Sequence, residues 1–378
     1  MPAVTLPIAI ATPRYAPEIG GVERHAEEHA RGLVARGIPV EVLTTDPTGR
    51  LPRLERRDGV LIRRFPTLRG DSVFYISPHL ARWAWGHAAR YRLVHAHSYH
   101  TLVPLAAGTG AVRAGVPLVI TAHYHGGGHT RLRNLLHVPY RPVAGRVLHA
   151  ADSVIAVSQA EAGWLTRDFG DLPIHVLPSG VGLPDRDPGA PAPVAPARQP
   201  REVTILSVGR LEAYKGVART VAALPHLPLE TRLVVVGKGP ASEAIAATAE
   251  QLGVRDRVRL LGHVSADELE AWYSVADVFV TLSEEEAFGM TVLEAAAAGT
   301  PVVASAIPAH AEVTGYVPGG RILLVAPGVH GANLAAAIEE ARAKGRTADR
   351  TGWRVPTWDA MVDGIVEVYA EVLGAPVR

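Results

Sequence analysis

The feature that most constrains this chain is a repeated alternation. Short runs of aliphatic and β-branched residues are followed, again and again, by longer stretches with helical periodicity. In the first half, Leu6–Ala11, Val40–Thr44, Val60–Phe65, Leu93–Ala96, Leu118–Thr121 and Ser153–Val157 have the length and composition of buried strands. Between the first two, the stretch Val22–Arg36 places Val22, Ala26, Ala30, Leu33 and Val34 on one helical face, and Gly37 follows as a C-cap. Strand, helix, strand at this spacing is a βαβ unit, and its repetition predicts a parallel sheet covered on both faces.

The alternation then breaks. Leu183–Pro200 is proline-rich and almost devoid of bulky apolar residues. Proline neither donates to a sheet ladder nor continues a helix, so residues 185–200 read as a semi-rigid linker. The pattern restarts at Val203–Val208 and runs through Leu233–Val236, Val258–Leu261, Val278–Thr281, Val302–Ala304 and Ile322–Val325. A last helix, about Thr357–Leu373, carries Trp358, Met361, Val362, Ile365, Val368, Tyr369 and Val372 on a broad apolar face. The predicted organisation is an α/β domain over 1–184, the linker 185–200, a second α/β domain over 201–356 and a terminal helical segment 357–378. A chain of 378 residues is too long for one ordinary core and suits two.

Composition narrows the function classes. A net charge of +1 gives no global attraction to nucleic acid, which is not expected as a partner. The absence of cysteine removes disulfides, thiolate zinc sites and a cysteine nucleophile together. The N-terminus has no basic segment before an apolar stretch, so no signal peptide is expected. The most apolar stretch, Ala295–Ala309, is broken by Gly299, Pro301 and Pro308 and is too short to cross a bilayer. A cytoplasmic protein is the expectation, with peripheral membrane contact and oligomeric state left open.

Four segments carry chemistry. The first is Ser283–Val303, where a Phe288-Gly289 turn leads into a helix beginning near Met290, whose first amides can bind an anion. Glu286 precedes that helix and Glu294 lies within it, which puts them on either side of the anion site. A solvated acidic loop before a core helix would give the same pair. The second is Ile205–Gly216, where a strand ends, Gly209 turns, and Arg210 and Lys215 follow. Two cations at a strand's carboxyl end are placed to clamp a diphosphate, although two surface cations would read alike. The third is Pro13–Glu23, where Gly20-Gly21 at a helix start permits close backbone approach to phosphate or sugar, or makes a plain tight turn.

The fourth segment is rich in histidine. His95, His97 and His100 follow one strand end, and His123, His125 and His129 follow another. His123 is a candidate for contact with a transferred sugar or its acceptor; a hydrogen-bonded structural histidine is the alternative. Two His-x-His patterns also admit a metal. No nearby acidic residue completes either set, so no metal site is expected. Asp185-Arg186-Asp187 has the spacing of a metal–nucleotide pair but lies in the linker and reads as solvated.

In this order, the segments resemble the retaining glycosyltransferase family 4, whose fold is GT-B. The resemblance covers nearly the whole chain. It rests on Gly20-Gly21, Thr121–His125, the Ala151–Ser158 strand, Val208-Gly209-Arg210 with Lys215-Gly216, Val236–Pro240, and Glu286–Gly289 with Glu294. It implies two Rossmann-like parallel α/β domains facing across a deep cleft, with the C-terminal helix crossing back to the N-terminal, acceptor-side domain. It also implies metal-independent transfer of a sugar from a nucleoside-diphosphate-sugar (UDP or GDP type) to an acceptor hydroxyl with retention, and no cofactor beyond that co-substrate.

By the same resemblance, Arg210 and Lys215 hold the diphosphate. Glu294 binds the ribose, Glu286 and the backbone at Phe288, Gly289, Met290 and Thr291 hold the sugar and distal phosphate, and backbone at His263 and Val264 contacts the base. Gly209 shapes the strand-end turn, Gly20 and Gly21 approach the donor from the other domain, and His123 lines the sugar site. Ser179-Gly180-Val181-Gly182 departs from the family's frequent Asn-Gly-Val-Asp, and Ala287 replaces a frequent glycine. A sugar-nucleotide epimerase, or a metal-dependent hydrolase using the histidines, are the competing readings.

Overall fold

The structure, a computed structural model, describes residues 6–18, 20–71, 74–126, 131–182 and 202–377; at 69 and 131–138 it describes the backbone only. The proposed linker 185–200, with Asp185-Arg186-Asp187, and His129 lie outside the described residues. The chain divides into two compact units, residues 1–180 with 357–378, and residues 181–356.

In the first unit, the strands are β1 (Ile8–Ala11), β2 (Val40–Asp46), β3 (Leu54–Arg57), β4 (Val60–Pro66), β5 (Leu93–His97), β6 (Leu118–Thr121), β7 (Ser153–Ala156) and β8 (Ile174–Val176). They form one sheet in the order β3-β4-β2-β1-β5-β6-β7-β8. Every neighbouring pair is parallel except the β3–β4 hairpin. Strands such as β1, β2 and β5 are buried along their whole length, as expected for a sheet covered on both faces.

The helix Gly21–Ala35 and the closing helix Trp358–Leu373 cover one face together. Their Ala26, Ala30, Leu33, Met361, Val362, Ile365 and Tyr369 pack with Ile8, Ile10, Val42, Leu93 and Val119. A Cβ on Gly32 would lie 2.5 Å from a Val362 methyl, so this glycine is what lets the two helices approach. Arg36 adds a hydrogen bond of 2.6 Å to Asp363 at the rim. The closing helix thus completes the first unit's core, as expected.

The second unit contains β9 (Val203–Val208), β10 (Thr231–Val236), β11 (Val258–Gly262), β12 (Val278–Thr281), β13 (Val302–Ser305) and β14 (Ile322–Val325), all parallel, in the order β11-β10-β9-β12-β13-β14. In each sheet the chain winds outward from an inner strand, then returns to that strand's other side. The switch lies between β1 and β5 in the first unit and between β9 and β12 in the second. Ligands of open α/β sheets bind at such points, beyond the carboxyl ends of the strands.

Candidate active site

The second unit's switch point brings together the loops after β9 and β12. After Val208 the chain turns at Gly209, passes Arg210 and closes one 3-10 turn, Ala213–Lys215. Gly216 follows with φ +69°, and a Cβ there would lie 2.7 Å from the Leu282 carbonyl, so only glycine lets this loop press against the end of β12. The two loops are then joined directly. Glu284 N–H donates to the Tyr214 carbonyl at 3.0 Å, and the Arg219 guanidinium donates to the Leu282 carbonyl at 2.5 Å.

This backbone junction positions the charges. Lys215 Nζ makes a short ion pair with Glu286 Oε1, which also accepts a 2.7 Å hydrogen bond from Ser283 Oγ. Burial pulls the Lys215 ammonium down, but Glu286 and Tyr214 outweigh it, and its pKa lies above the ordinary lysine value. Arg210 acts on Lys215 in the opposite sense, as a like charge must. Burial pushes the Glu286 carboxyl up; Lys215 and His310, with the two hydrogen bonds, bring it net below the usual value. Lys215 is therefore a cation and Glu286 an anion at neutral pH. Arg210, Lys215 and Gly209 line one small concavity at the end of β9, and Lys215 pairs there with Glu286. A guanidinium and an ammonium side by side at a strand end suit an anion.

Past Glu286, buried Phe288 anchors the turn and Gly289 adopts φ +98°. The helix Met290–Ala297 starts there with no side-chain cap on its first amides, leaving its positive end available. Glu294 lies on this helix, half-buried, and accepts 2.9 Å from Tyr273 Oη. A Cβ on Gly289 would lie 3.0 Å from His310 Cδ2. His310 is buried beneath the turn and donates from Nδ1 to the Ser305 carbonyl at 2.9 Å; burial holds its pKa below the ordinary value. His263 and Val264 follow β11, with β10 between them and the Arg210 loop. There, the Leu211 and Gly237 amides bond the carbonyls of Lys238 and Gly262, interlocking three adjacent strand ends. Sequence reasoning missed His310, Ser283 and Tyr273, and nothing in their spacing distinguishes them from ordinary core polar residues.

In the first unit, Gly20 is extended (φ 177°) and caps the helix Gly21–Ala35, with Arg14 and Glu23 paired beside it. His123, two residues beyond β6, has φ +49° and is 9 % exposed. The histidines are not grouped by loop, as the sequence had suggested. His95 and His97 lie on one face of β5 and meet His123 with His25 and His29 from the first helix, whereas His100 stacks on His125 at 4.3 Å. Two overlapping sets, His25/His97/His123 and His29/His95/His97, each bring one ring nitrogen per residue within 4.8 Å of the others. The expectation of no metal site rested on the wrong grouping. The signal for His25 and His29 was their i, i+4 spacing, one turn apart and leading to Leu33. Burial, reinforced by neighbouring rings, holds His25, His95 and His97 well below the ordinary histidine value, and burial takes His29 and His123 to about 3, so all five are neutral.

Comparison with known proteins agrees with this architecture. The family model for glycosyltransferase family 4 matches residues 19–183, and that for glycosyl transferases group 1 matches 193–353. A D-inositol 3-phosphate glycosyltransferase of Xylanimonas cellulosilytica is 32 % identical over 94 % of this chain and 92 % of its own length. One from Segniliparus rotundus is 31 % identical over 94 % and 85 %. Among solved structures, the sucrose-phosphate synthase of Thermosynechococcus elongatus superposes with TM-score 0.78 at 23 % identity, covering 97 % of this chain and 99 % of that one. HepE of Anabaena, in complex with UDP and glucose, gives 0.74 at 18 % identity, covering 96 % and 99 %. The epimerase reading finds no support among them. Among the described residues, no helix is long and apolar enough to cross a membrane. The chain is a glycosyltransferase with the GT-B fold and belongs to glycosyltransferase family 4.

Proposed function

We propose that this enzyme transfers a sugar from a nucleoside-diphosphate-sugar to an acceptor hydroxyl with retention, without a divalent ion at the diphosphate. The observation that carries this reading is the second unit's switch point, where Arg210 and Lys215 line one concavity and Glu286, paired with Lys215, leads into an uncapped helix end. As the C1–O bond breaks, negative charge develops on the departing diphosphate. Fixed cations and helix amides oppose it without reorganising, which is the role a metal plays elsewhere. The acceptor oxygen bonds to C1 on the face the diphosphate leaves, and the acceptor proton passes to the leaving phosphate oxygen.

Within this reading, Glu286 accepts from sugar hydroxyls while Lys215 and Ser283 hold it in place. Glu294, steadied by Tyr273, takes the ribose hydroxyls, and backbone at His263 and Val264 reaches the base. Backbone from Phe288 to Thr291 faces the distal phosphate. The UDP in the HepE complex and the inositol phosphate in the relatives' names make UDP-sugars and D-inositol 3-phosphate the first compounds to try.

The test is a thermal-shift panel of UDP-, GDP- and ADP-sugars, because a ligand bound only by the folded state raises apparent stability. The donor that stabilises is then incubated with candidate acceptors in excess chelator, and the product's anomeric configuration is read by NMR. Nucleotide release with a retained anomer is the expected result. An inverted product would overturn retention, and turnover restored only by added Mg²⁺ or Mn²⁺ would overturn the metal-free clamp.

A further inference from the structure

The first unit holds five buried histidines in one layer, and their hydrogen bonds divide them into two kinds. His29 uses both ring nitrogens, Nδ1 with His97 Nε2 at 3.2 Å and Nε2 with Tyr369 Oη at 3.0 Å. His95 also uses both, Nδ1 with Tyr369 Oη and Nε2 with Thr121 Oγ1, each at 2.7 Å. The other three converge. His25 Nδ1 is 3.0 Å from Ser179 Oγ, while its Nε2 is buried without a hydrogen-bond partner. His97 Nδ1 and His123 Nε2 face each other at 3.3 Å. The His25 ring stands edge-on to both, with centroids 4.9 Å from His123 and 5.4 Å from His97.

We infer that His25, His97 and His123 form a binding site for a divalent transition-metal ion of the zinc class, through Nε2, Nδ1 and Nε2 respectively. Tetrahedral ligands at the usual zinc–imidazole distance stand about 3.3 Å apart, and the His97–His123 spacing already matches. Of the two directions in which donation can run along the surrounding bonds, one supplies the tautomers this needs; the other puts a proton on His97 Nδ1, which binding would displace. In the first, His97 Nε2–H donates to His29 Nδ1, His29 Nε2–H to Tyr369 Oη, Tyr369 O–H to His95 Nδ1, and His95 Nε2–H to Thr121 Oγ1. That single direction of donation leaves the His97 Nδ1 lone pair free. His25 Nδ1–H donating to Ser179 frees the His25 Nε2 lone pair in the same way. Such outer partners orient metal-bound imidazoles and set their tautomer. An all-nitrogen neutral set favours zinc, copper, nickel or iron over magnesium or calcium. Three protein ligands leave a fourth position, on the side of His123, the most exposed of the three. The site shares His123 with the sugar-contacting role that the family resemblance implies; the other two ligands and the cobalt readout are independent of the charged residues in the second unit.

The experiment uses the full chain purified without a histidine tag, stripped with chelator and titrated with Co²⁺ as the probe. One equivalent should bind and give the intense visible bands of a tetrahedral site. His25→Gln and His123→Gln should each weaken binding at least about 100-fold, and Ser179→Ala about 10-fold, since outer-partner losses alone cost 10–100-fold. His226→Gln, on the second unit's surface, should change nothing. X-ray absorption of the wild-type cobalt protein should show imidazole nitrogen scattering, a readout that does not depend on the variants folding. No stoichiometric binding in the wild type, an oxygen-only shell, or binding that survives both histidine variants would overturn the site.

Discussion

The two units share one plan, a parallel sheet with a switch beside its first strand, yet they fill that point with opposite chemistry. The second unit places permanent charge there: Arg210 and Lys215 against Glu286, on loops joined by the Glu284–Tyr214 backbone bond. The first unit places five neutral imidazoles, a tyrosine and two hydroxyls, buried and hydrogen-bonded in series. Fixed charge suits an anion whose charge grows during reaction. A neutral layer whose burial disfavours protonation offers nitrogen lone pairs to a metal without opposing it with a charge of its own. The same sheet geometry therefore serves two purposes, and the side chains at the strand ends decide which.

The largest effect that would sharpen this contrast lies on the charged side. Arg210→Ala and Lys215→Ala should each lower kcat by about 10²–10³, the cost of losing one preorganised electrostatic donor, with circular dichroism unchanged. Near wild-type turnover in either would dissolve the clamp. Next comes the neutral side. Tyr369→Phe removes the hydroxyl between His29 and His95 and should cost about 1–3 kcal/mol of stability in urea unfolding, while affinity for the sugar-nucleotide donor stays at the wild-type value. A loss of affinity as large as the loss of stability would show the two layers are not separable.

Gly289→Ala forces a side chain into φ +98° against His310 and should cost about 1 kcal/mol or somewhat more, together with weaker donor binding because the helix end shifts. Unchanged affinity in a destabilised variant would remove the helix end from the site. The smallest effect is an expected flatness. Lys215 lies above its ordinary pKa, so its charge is lost only at higher pH; Glu286 lies below its own, so it protonates only at lower pH. Between about pH 6 and 9, affinity for whichever donor stabilises the protein in the thermal-shift panel, measured by calorimetry, should therefore vary less than about twofold, with or without chelator. A titration inside that window would mean that one of the pair is not charged as described.

Much of this contrast was legible in the sequence. Short aliphatic and β-branched runs read as strands, and the twelve runs so read all correspond to observed strands. The β3–β4 hairpin escaped because Leu-Glu-Arg-Arg is largely exposed and charged, and β8 because Ile-His-Val is short and half-buried. Cations after a strand were visible as such. The pairing of Lys215 with Glu286 was not, because it joins residues 71 positions apart through a switch in strand order that periodicity does not encode. The histidines show the limit most clearly. Reading along the chain grouped His95 with His100 and His123 with His129, whereas the sheet groups residues by depth and face and brings in His25 and His29 from a helix.

One consequence follows from the first unit being closed by residues 357–378. Its sheet is synthesised early, but Tyr369 and the apolar face that cover Ile8, Ile10 and Leu93 emerge only after all of residues 181–356. Domains usually mature in the order they leave the ribosome; here the unit begun first is finished last. Until then, the nascent chain presents an uncovered greasy surface and an unassembled imidazole layer, which makes the last helix the step that commits this half of the enzyme to its native state.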